Sequence, residues 1–302
     1  MAEQIGRLLT AMITPFKADG SIDFGAAERL ANMLVADGSD GVVVSGTTGE
    51  SPTLSDDEKV ELVGVVKKAI PNHNVVAGTG GNDTHHSIKL SERAMQAGAD
   101  ALLAVVPYYN KPPQDGMYHH FKAIAEVGPT IMYNIQGRTA VNMSAATTLR
   151  CAELPGILGV KEASGDLDQI GLVCAGKPER FKVWSGDDSW TLAVLGTGGY
   201  GVICVVSHIA GRSMKMLIDA YLNGDNGAAR KIHLGLLPVI KTLMTTAANP
   251  VPIKSALNAM GFSAGPFRLP LVPLTDDQLR SVMQTIREAG DLITFKAGVK
   301  VA

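Results

Sequence analysis

The chain has 302 residues, of which 46% are hydrophobic and 19% are charged, a length that suits two average domains or one α/β barrel with an addition. Its net charge is -2 and it has no run of more than two basic residues, so nucleic-acid binding has no electrostatic support. No apolar stretch reaches about 18 residues, the length that a membrane-spanning helix needs, so we expect no membrane partner.

Eight short apolar runs, rich in β-branched residues, recur along the chain. Their near-continuous apolar character predicts strands that are buried on both faces, as in a parallel sheet. The runs are residues 8–13, 41–44, 75–77, 101–106, 130–133, 157–161, 181–184 and 201–206.

Segments with helical periodicity lie between these runs. Ser55 with Glu58 forms a capping box before a helix with Val60, Val63, Val66 and Ile70 on one face. Asp83 and Ser144 are candidate caps of two further helices, and Gly98 stops the first of these.

Eight alternating strand–helix units predict an α/β fold, a closed (β/α)8 TIM barrel with right-handed crossovers. An open doubly wound sheet is the alternative, but no GxGxxG follows the first strand. After about residue 224 the pattern is helical only, over residues 228–245, 252–260 and 275–289. We therefore expect a catalytic barrel over residues 1–223 and a C-terminal helical extension over residues 224–302.

Catalytic groups of such barrels lie at the carboxyl ends of the strands. The second strand runs into SGTTGES at residues 45–51, where Thr47 and Thr48 with backbone N–H groups suit a carboxylate or a phosphate. A flexible turn is the alternative, and the loop has no P-loop lysine. Tyr109 follows the fourth strand and Tyr133 ends the fifth. Each is either a proton relay or a packed ring.

Two cations stand at or near strand ends. Arg138 follows Tyr133 by five residues and is either a clamp for a substrate carboxylate or a surface arginine. Lys161 ends the sixth strand, where residues 157, 159 and 161 share one face. A buried lysine is either paired with a carboxylate or has a lowered pKa and acts as a nucleophile.

No metal site is predicted. The histidine pairs at residues 85–86 and 119–120 point about 100° apart on a helix and chelate poorly, and no HExxH motif occurs.

Cys151, Cys174 and Cys204 form no CxxC pair, which is typical of a reducing compartment. Residues 1–7 lack the features of a secretion signal. We expect a cytoplasmic protein.

Together these residues resemble the dihydrodipicolinate synthase/N-acetylneuraminate lyase family of class I aldolases. The resemblance rests on GTTGE at residues 46–50 and on Tyr133 with GVKE at residues 159–162. PYYNKP at residues 107–112, GRT at 137–139 and SGDD at 185–188 are similar to its synthase branch. Gln136 departs from the family, which usually has proline there.

The resemblance implies that Lys161 forms an imine with pyruvate and that Thr47 and Thr48 hold the pyruvate carboxylate. Tyr133 is then the acid/base, and Thr47 links it to Tyr109 from a neighbouring subunit. The resulting enamine adds to L-aspartate 4-semialdehyde in lysine and diaminopimelate biosynthesis. No metal or organic cofactor is implied.

The resemblance also places Arg138 on the carboxylate of the semialdehyde, with backbone groups of Gly186 and Ile203 shaping the pocket. It implies a homotetramer built as a dimer of dimers, with which the low charged fraction is compatible. Two alternatives stay open. One is another pyruvate-dependent aldolase of the family, such as an N-acetylneuraminate lyase, a 2-keto-3-deoxy sugar acid aldolase or a 4-hydroxy-2-oxoglutarate aldolase. The other is a non-catalytic barrel that binds an organic anion.

Overall fold

The computed structural model describes residues 5–295, and within them eight parallel strands close into a barrel in sequential order. The predicted TIM barrel is therefore confirmed. Residues 1–4 of the predicted barrel and 296–302 of the predicted extension lie outside the described residues. The strands are β1 (Leu8–Ala11), β2 (Gly41–Val44), β3 (Asn74–Gly78), β4 (Ala101–Val105), β5 (Thr130–Asn134), β6 (Ile157–Glu162), β7 (Lys182–Ser185) and β8 (Gly201–Cys204).

Helices alternate with these strands and cover the outside of the barrel. The expected caps are present: Ser55 and Glu58 form a capping box, and the side chains of Asp83 and Ser144 each accept from backbone N–H groups of the following helix. The helices are α1 (Phe24–Ala36), α2 (Asp56–Ala69), α3 (Thr84–Gln96), α4 (Gln114–Ala125), α5 (Gln136–Thr139), α6 (Ala145–Ala152), α7 (Leu167–Gly176), α8 (Thr191–Gly196) and α9 (Ser207–Leu222).

The inside of the barrel is filled by side chains and is closed at its amino-terminal end. Trp184 is fully buried, its Nε1 donates to the backbone oxygen of Gly6 at 2.9 Å, and Tyr200 packs edge-on against its ring. Gly159 leaves room for that ring, because a Cβ there would lie 2.8 Å from a ring carbon. Any open space in the barrel is consequently at the carboxyl end of the strands.

Two strands end two residues earlier than the sequence predicts, and β4 ends one residue earlier, at Val105. β8 ends at Cys204 rather than at residue 206, because the carboxylate of Asp188 accepts the N–H groups of Val205 and Val206 and directs them away from the ladder. β1 likewise ends at Ala11 rather than at residue 13, and the N–H of Ile13 donates to the His208 ring. Side chains thus terminate the strands where apolar character continues.

The C-terminal helices α10 (Asn226–Thr245), α11 (Val251–Ala259) and α12 (Asp276–Glu288) pack together beside the barrel. Residues 251–257 of α11 are all buried, including Lys254. This helix lies against the loop after β2, since Lys254 Nζ donates to Glu50. In residues 5–295, no helix is long and apolar enough to cross a membrane.

Candidate active site

A cavity of about 150 Å³ lies at the carboxyl ends of the strands. It opens beside a larger space of about 490 Å³, with which it shares Thr47, Tyr133 and Arg138. The cavity brings together six of the eight predicted site residues, which are Thr47, Thr48, Tyr133, Arg138, Lys161 and Gly186.

Lys161 lies inside the barrel on β6, paired in register with Tyr133 on β5. Its Nζ is 4.3 Å from the centre of the Tyr133 ring, and the residue is only 6% exposed. Burial lowers the pKa of Lys161 to about 8, with Asp188 opposing this shift and Arg138 adding to it. A sizeable fraction of the amine is therefore unprotonated near neutral pH, as a nucleophile requires.

This pKa predicts the pH dependence of the imine formation that the resemblance implies for Lys161. Only the neutral amine attacks a carbonyl, so the rate should rise as pH increases through about 8 and then level off. Roughly a tenth of the amine is neutral one unit below its pKa, so we expect about a tenfold gain between pH 7 and the plateau. Rapid-quench borohydride trapping with pyruvate measures the rate. A midpoint near 10.5, the usual lysine value, would contradict the effect of burial.

Tyr133 is the phenol nearest to this amine and is 6% exposed. Burial raises its pKa far above the usual value, while Arg138 and a hydrogen bond with Thr47 oppose the shift. The phenol consequently stays protonated in the free enzyme at neutral pH. It can donate a hydrogen bond or a proton to an oxygen in the cavity.

The Thr47–Thr48 loop is held by groups on both sides. Thr14 Oγ1 donates to the backbone oxygen of Gly49 at 2.7 Å, and Asn249 Nδ2 donates to Thr48 Oγ1 at 2.9 Å. Glu50, the residue after Gly49, has a positive φ of 57°. Its carboxylate accepts from Lys254 Nζ at 2.7 Å and from the backbone N–H of Arg268 at 3.1 Å. The two threonine hydroxyls are thus presented by a constrained loop.

Arg138 is exposed and lies in the short helix α5. Its Nη2 donates to the backbone oxygen of Asn249 at 3.5 Å. Gln136 takes the first position of α5, where proline is also favoured because that N–H has no partner within the helix. The turn forms without proline, since the N–H of Ala140 donates to the oxygen of Gln136 at 2.9 Å.

Gly186 contributes backbone to the cavity wall, and its N–H donates to the oxygen of Glu162 at 2.7 Å. Ile203 instead packs in the barrel interior beside Leu9 and lines neither cavity, whereas Val205 does. Tyr109 also lines neither cavity. It is 89% exposed with a φ of 71°.

Asp188 and Asn249 line the cavity but had no role in the sequence prediction. Asp188 belongs to the SGDD run at a strand end, so the rule that identified Lys161 could have found it. Its carboxylate is buried, which raises its pKa to about 6 although backbone N–H groups oppose the shift. Asn249 comes from the turn before α11, and no motif points to it. Within residues 5–295, no three or more His, Cys, Asp or Glu side chains group as metal ligands would.

Comparison with known proteins gives consistent matches over nearly the whole chain. The model of the dihydrodipicolinate synthetase family matches residues 4–289. The 4-hydroxy-tetrahydrodipicolinate synthase of Moorella thermoacetica is 52% identical over 290 residues, which cover 95% of this chain and 99% of that protein. A dihydrodipicolinate synthase of Cyanidioschyzon merolae, solved with lysine bound, has a TM-score of 0.92 and 41% identity, covering 95% and 98% of the two chains. A monomeric dihydrodipicolinate synthase variant has a TM-score of 0.91 and 38% identity, covering 95% and 97%.

Proposed function

Because the chain belongs to the dihydrodipicolinate synthetase family, we infer that it is a lyase of the class I aldolase type. It condenses pyruvate with L-aspartate 4-semialdehyde to 4-hydroxy-tetrahydrodipicolinate, a step of lysine and diaminopimelate biosynthesis. The observation that carries the residue assignment is Lys161, a buried amine with a lowered pKa in a cavity beside Tyr133 and Thr47.

The reaction begins with attack of Lys161 Nζ on the keto carbon of pyruvate, whose carboxylate accepts from Thr47 and Thr48. Tyr133 donates a proton to the departing oxygen, which leaves as water and gives the imine. The Tyr133 phenolate then accepts a methyl proton, which gives the enamine and restores the phenol. A buried cavity favours these steps because it keeps water from hydrolysing the imine.

The enamine carbon next attacks the aldehyde carbon of the semialdehyde, whose carboxylate is bound by Arg138. The amino group of that substrate then attacks the imine carbon. The ring closes as the bond to Lys161 Nζ breaks, so the lysine returns to its amine form. Backbone at Gly186 limits the space around the reacting carbons, and Ile203 supports the wall from the barrel interior.

The experiment that tests this function combines borohydride trapping of pyruvate with a separate comparison of aldehyde partners on the untrapped protein. Pyruvate with borohydride should inactivate the protein irreversibly and label Lys161. In a separate sample without borohydride, the enamine formed from pyruvate should react with L-aspartate 4-semialdehyde in preference to N-acetylmannosamine, glyceraldehyde or glyoxylate, the partners of the related aldolases. Preference for one of those three would move the chain to another activity of the family, and pyruvate binding without a label would indicate a non-catalytic barrel.

Tyr109 is assigned to the active site of a neighbouring subunit in a homotetramer made of two tight dimers. Three observations support this assignment: the Tyr109 side chain is exposed, its backbone has a positive φ, and it lines neither cavity of its own barrel. Asn110 Nδ2 donates to the oxygen of Asn82 at 2.8 Å and so fixes the loop that presents the ring. Thr47 would then form a hydrogen bond with the Tyr109 hydroxyl across the interface.

We expect Tyr109→Phe to lower kcat by about 10- to 100-fold, because a proton relay is lost while pyruvate binding is kept. Tyr221→Phe, on α9 away from the cavity, is the matched control. Mixing Tyr109→Phe with Lys161→Met subunits gives a sharper test. Refolded mixtures should regain activity, since some sites combine an intact tyrosine with an intact lysine. No recovery would mean that Tyr109 does not act across an interface.

The unpaired cysteines support a cytoplasmic location. The proposed boundary between the catalytic barrel and the extension, at residues 223 and 224, falls in the turn between α9 and α10.

A further inference from the structure

Asn249 lies in the turn between α10 and α11 and lines the cavity that contains Lys161. Two of its groups contact proposed substrate-binding residues. Its Nδ2 donates to Thr48 Oγ1 at 2.9 Å, and its backbone oxygen accepts from Arg138 Nη2 at 3.5 Å. Asn249 therefore connects Thr48, which is proposed to bind the pyruvate carboxylate, with Arg138, which is proposed to bind the semialdehyde carboxylate.

The third group of Asn249 has no partner. Its Oδ1 is buried and accepts no hydrogen bond from any residue in 5–295. A buried acceptor left unpaired costs about 1–3 kcal/mol. The orientation of the amide follows from Thr48: if the Thr48 hydroxyl donates to a carboxylate, it has to accept from Asn249, and only Nδ2 can donate. Oδ1 is consequently the amide atom left for a ligand.

We propose that Asn249 Oδ1 accepts a hydrogen bond from the α-ammonium group of L-aspartate 4-semialdehyde and so selects an α-amino aldehyde over aldehydes that lack the amine. This inference rests on the proposed function. Pyruvate has no donor to offer, whereas the semialdehyde carries its ammonium group next to the carboxylate that Arg138 would bind. Arg138 Nη2 donates to the Asn249 backbone oxygen, so the cation proposed for the carboxylate contacts the residue whose amide oxygen is proposed for the ammonium group.

A neutral amide oxygen also suits the later chemistry. The amino group has to lose a proton before it attacks the imine carbon and closes the ring. A carboxylate at residue 249 would stabilise the ammonium form and raise its pKa. An amide oxygen accepts a hydrogen bond from the ammonium and from the neutral amine, so it positions the nitrogen without holding its proton.

The test measures addition of two aldehydes to the preformed enamine, with succinate semialdehyde as the analogue that lacks only the amine. The enamine is formed with one equivalent of pyruvate, samples are quenched with borohydride at intervals, and the disappearance of the pyruvate adduct of Lys161 reports addition of either aldehyde. The wild-type protein should add the amino aldehyde about 10- to 100-fold faster at equal concentration, the range expected for a hydrogen bond to a charged group. Asn249→Leu and Asn249→Ala should abolish most of this preference, while Asn226→Ala, exposed at the start of α10, should keep it.

The ratio between the two aldehydes is the decisive quantity, because a loss of folded protein or a displaced Thr48 slows both reactions equally. Equal losses with both aldehydes in the Asn249 variants would overturn the proposal, as would a wild-type protein without preference. If pyruvate and borohydride fail to label Lys161 in the wild-type protein, the proposed function fails. If the label forms and only the preference is unchanged, this inference alone fails.

Discussion

Replacement of Lys161 by methionine is expected to abolish labelling by pyruvate and borohydride and to lower kcat by roughly 10³-fold or more. Methionine has nearly the length of lysine but no amine, so the covalent intermediate cannot form. The side chain is buried, 6% exposed, and its amine is already destabilised in the charged form. Removing a buried cation should leave the free energy of unfolding unchanged or raise it. Steady-state rates, labelling and thermal unfolding of one preparation measure all three effects.

The matched control for this variant is Lys122→Met, at an exposed position of α4. It should keep both labelling and rate. Retained activity in Lys161→Met would contradict the imine mechanism, because no other lysine of the described chain lines the small cavity. Loss of activity together with a lower melting temperature would point to a structural role of the amine instead.

The barrel could be predicted from the sequence because each strand is buried on both faces. Runs such as residues 41–44 then read as continuous apolar segments, and eight of them separated by capped helices leave few alternatives. The neighbouring positions of Lys161 and Tyr133 follow from the same pattern, since each lies one residue before the end of one of two adjacent parallel strands. The pattern does not show where a polar side chain ends a strand, as Asp188 ends β8.

The C-terminal part of the site could not be predicted for a different reason. Helical periodicity shows that α10 and α11 are amphipathic, but it does not show which part of the barrel they cover. Asn249 lies 201 residues from its partner Thr48, and Lys254 lies 204 residues from Glu50. Only the tertiary packing of α11 against the loop after β2 brings these pairs together. The extension is thus a component of the site as well as a cover for the barrel.

Lys254→Met is expected to lower the free energy of unfolding by about 3–5 kcal/mol, because it leaves the carboxylate of Glu50 buried without its cation. Both side chains of this ion pair are fully buried, with Lys254 Nζ 2.7 Å from Glu50 Oε1 and 2.9 Å from the backbone oxygen of Thr14. Burial lowers the pKa of Lys254 while Glu50 opposes the shift. Chemical denaturation of the variant, with Lys241→Met at an exposed position of α10 as control, measures the loss.

The same pair should also affect pyruvate binding, because Glu50 follows directly on the loop that carries Thr47 and Thr48. We expect Lys254→Met to raise the KM for pyruvate more than it lowers kcat, since the threonines would be displaced while Lys161 and Tyr133 stay on their strands. Adding Glu50→Gln removes the uncompensated charge and keeps an acceptor for the N–H of Arg268. The double variant should be more stable than the sum of the single losses predicts, by about 1–3 kcal/mol. Additive losses would mean that the pair does not act as a unit, and an unchanged KM would show that the loop holds its shape without it.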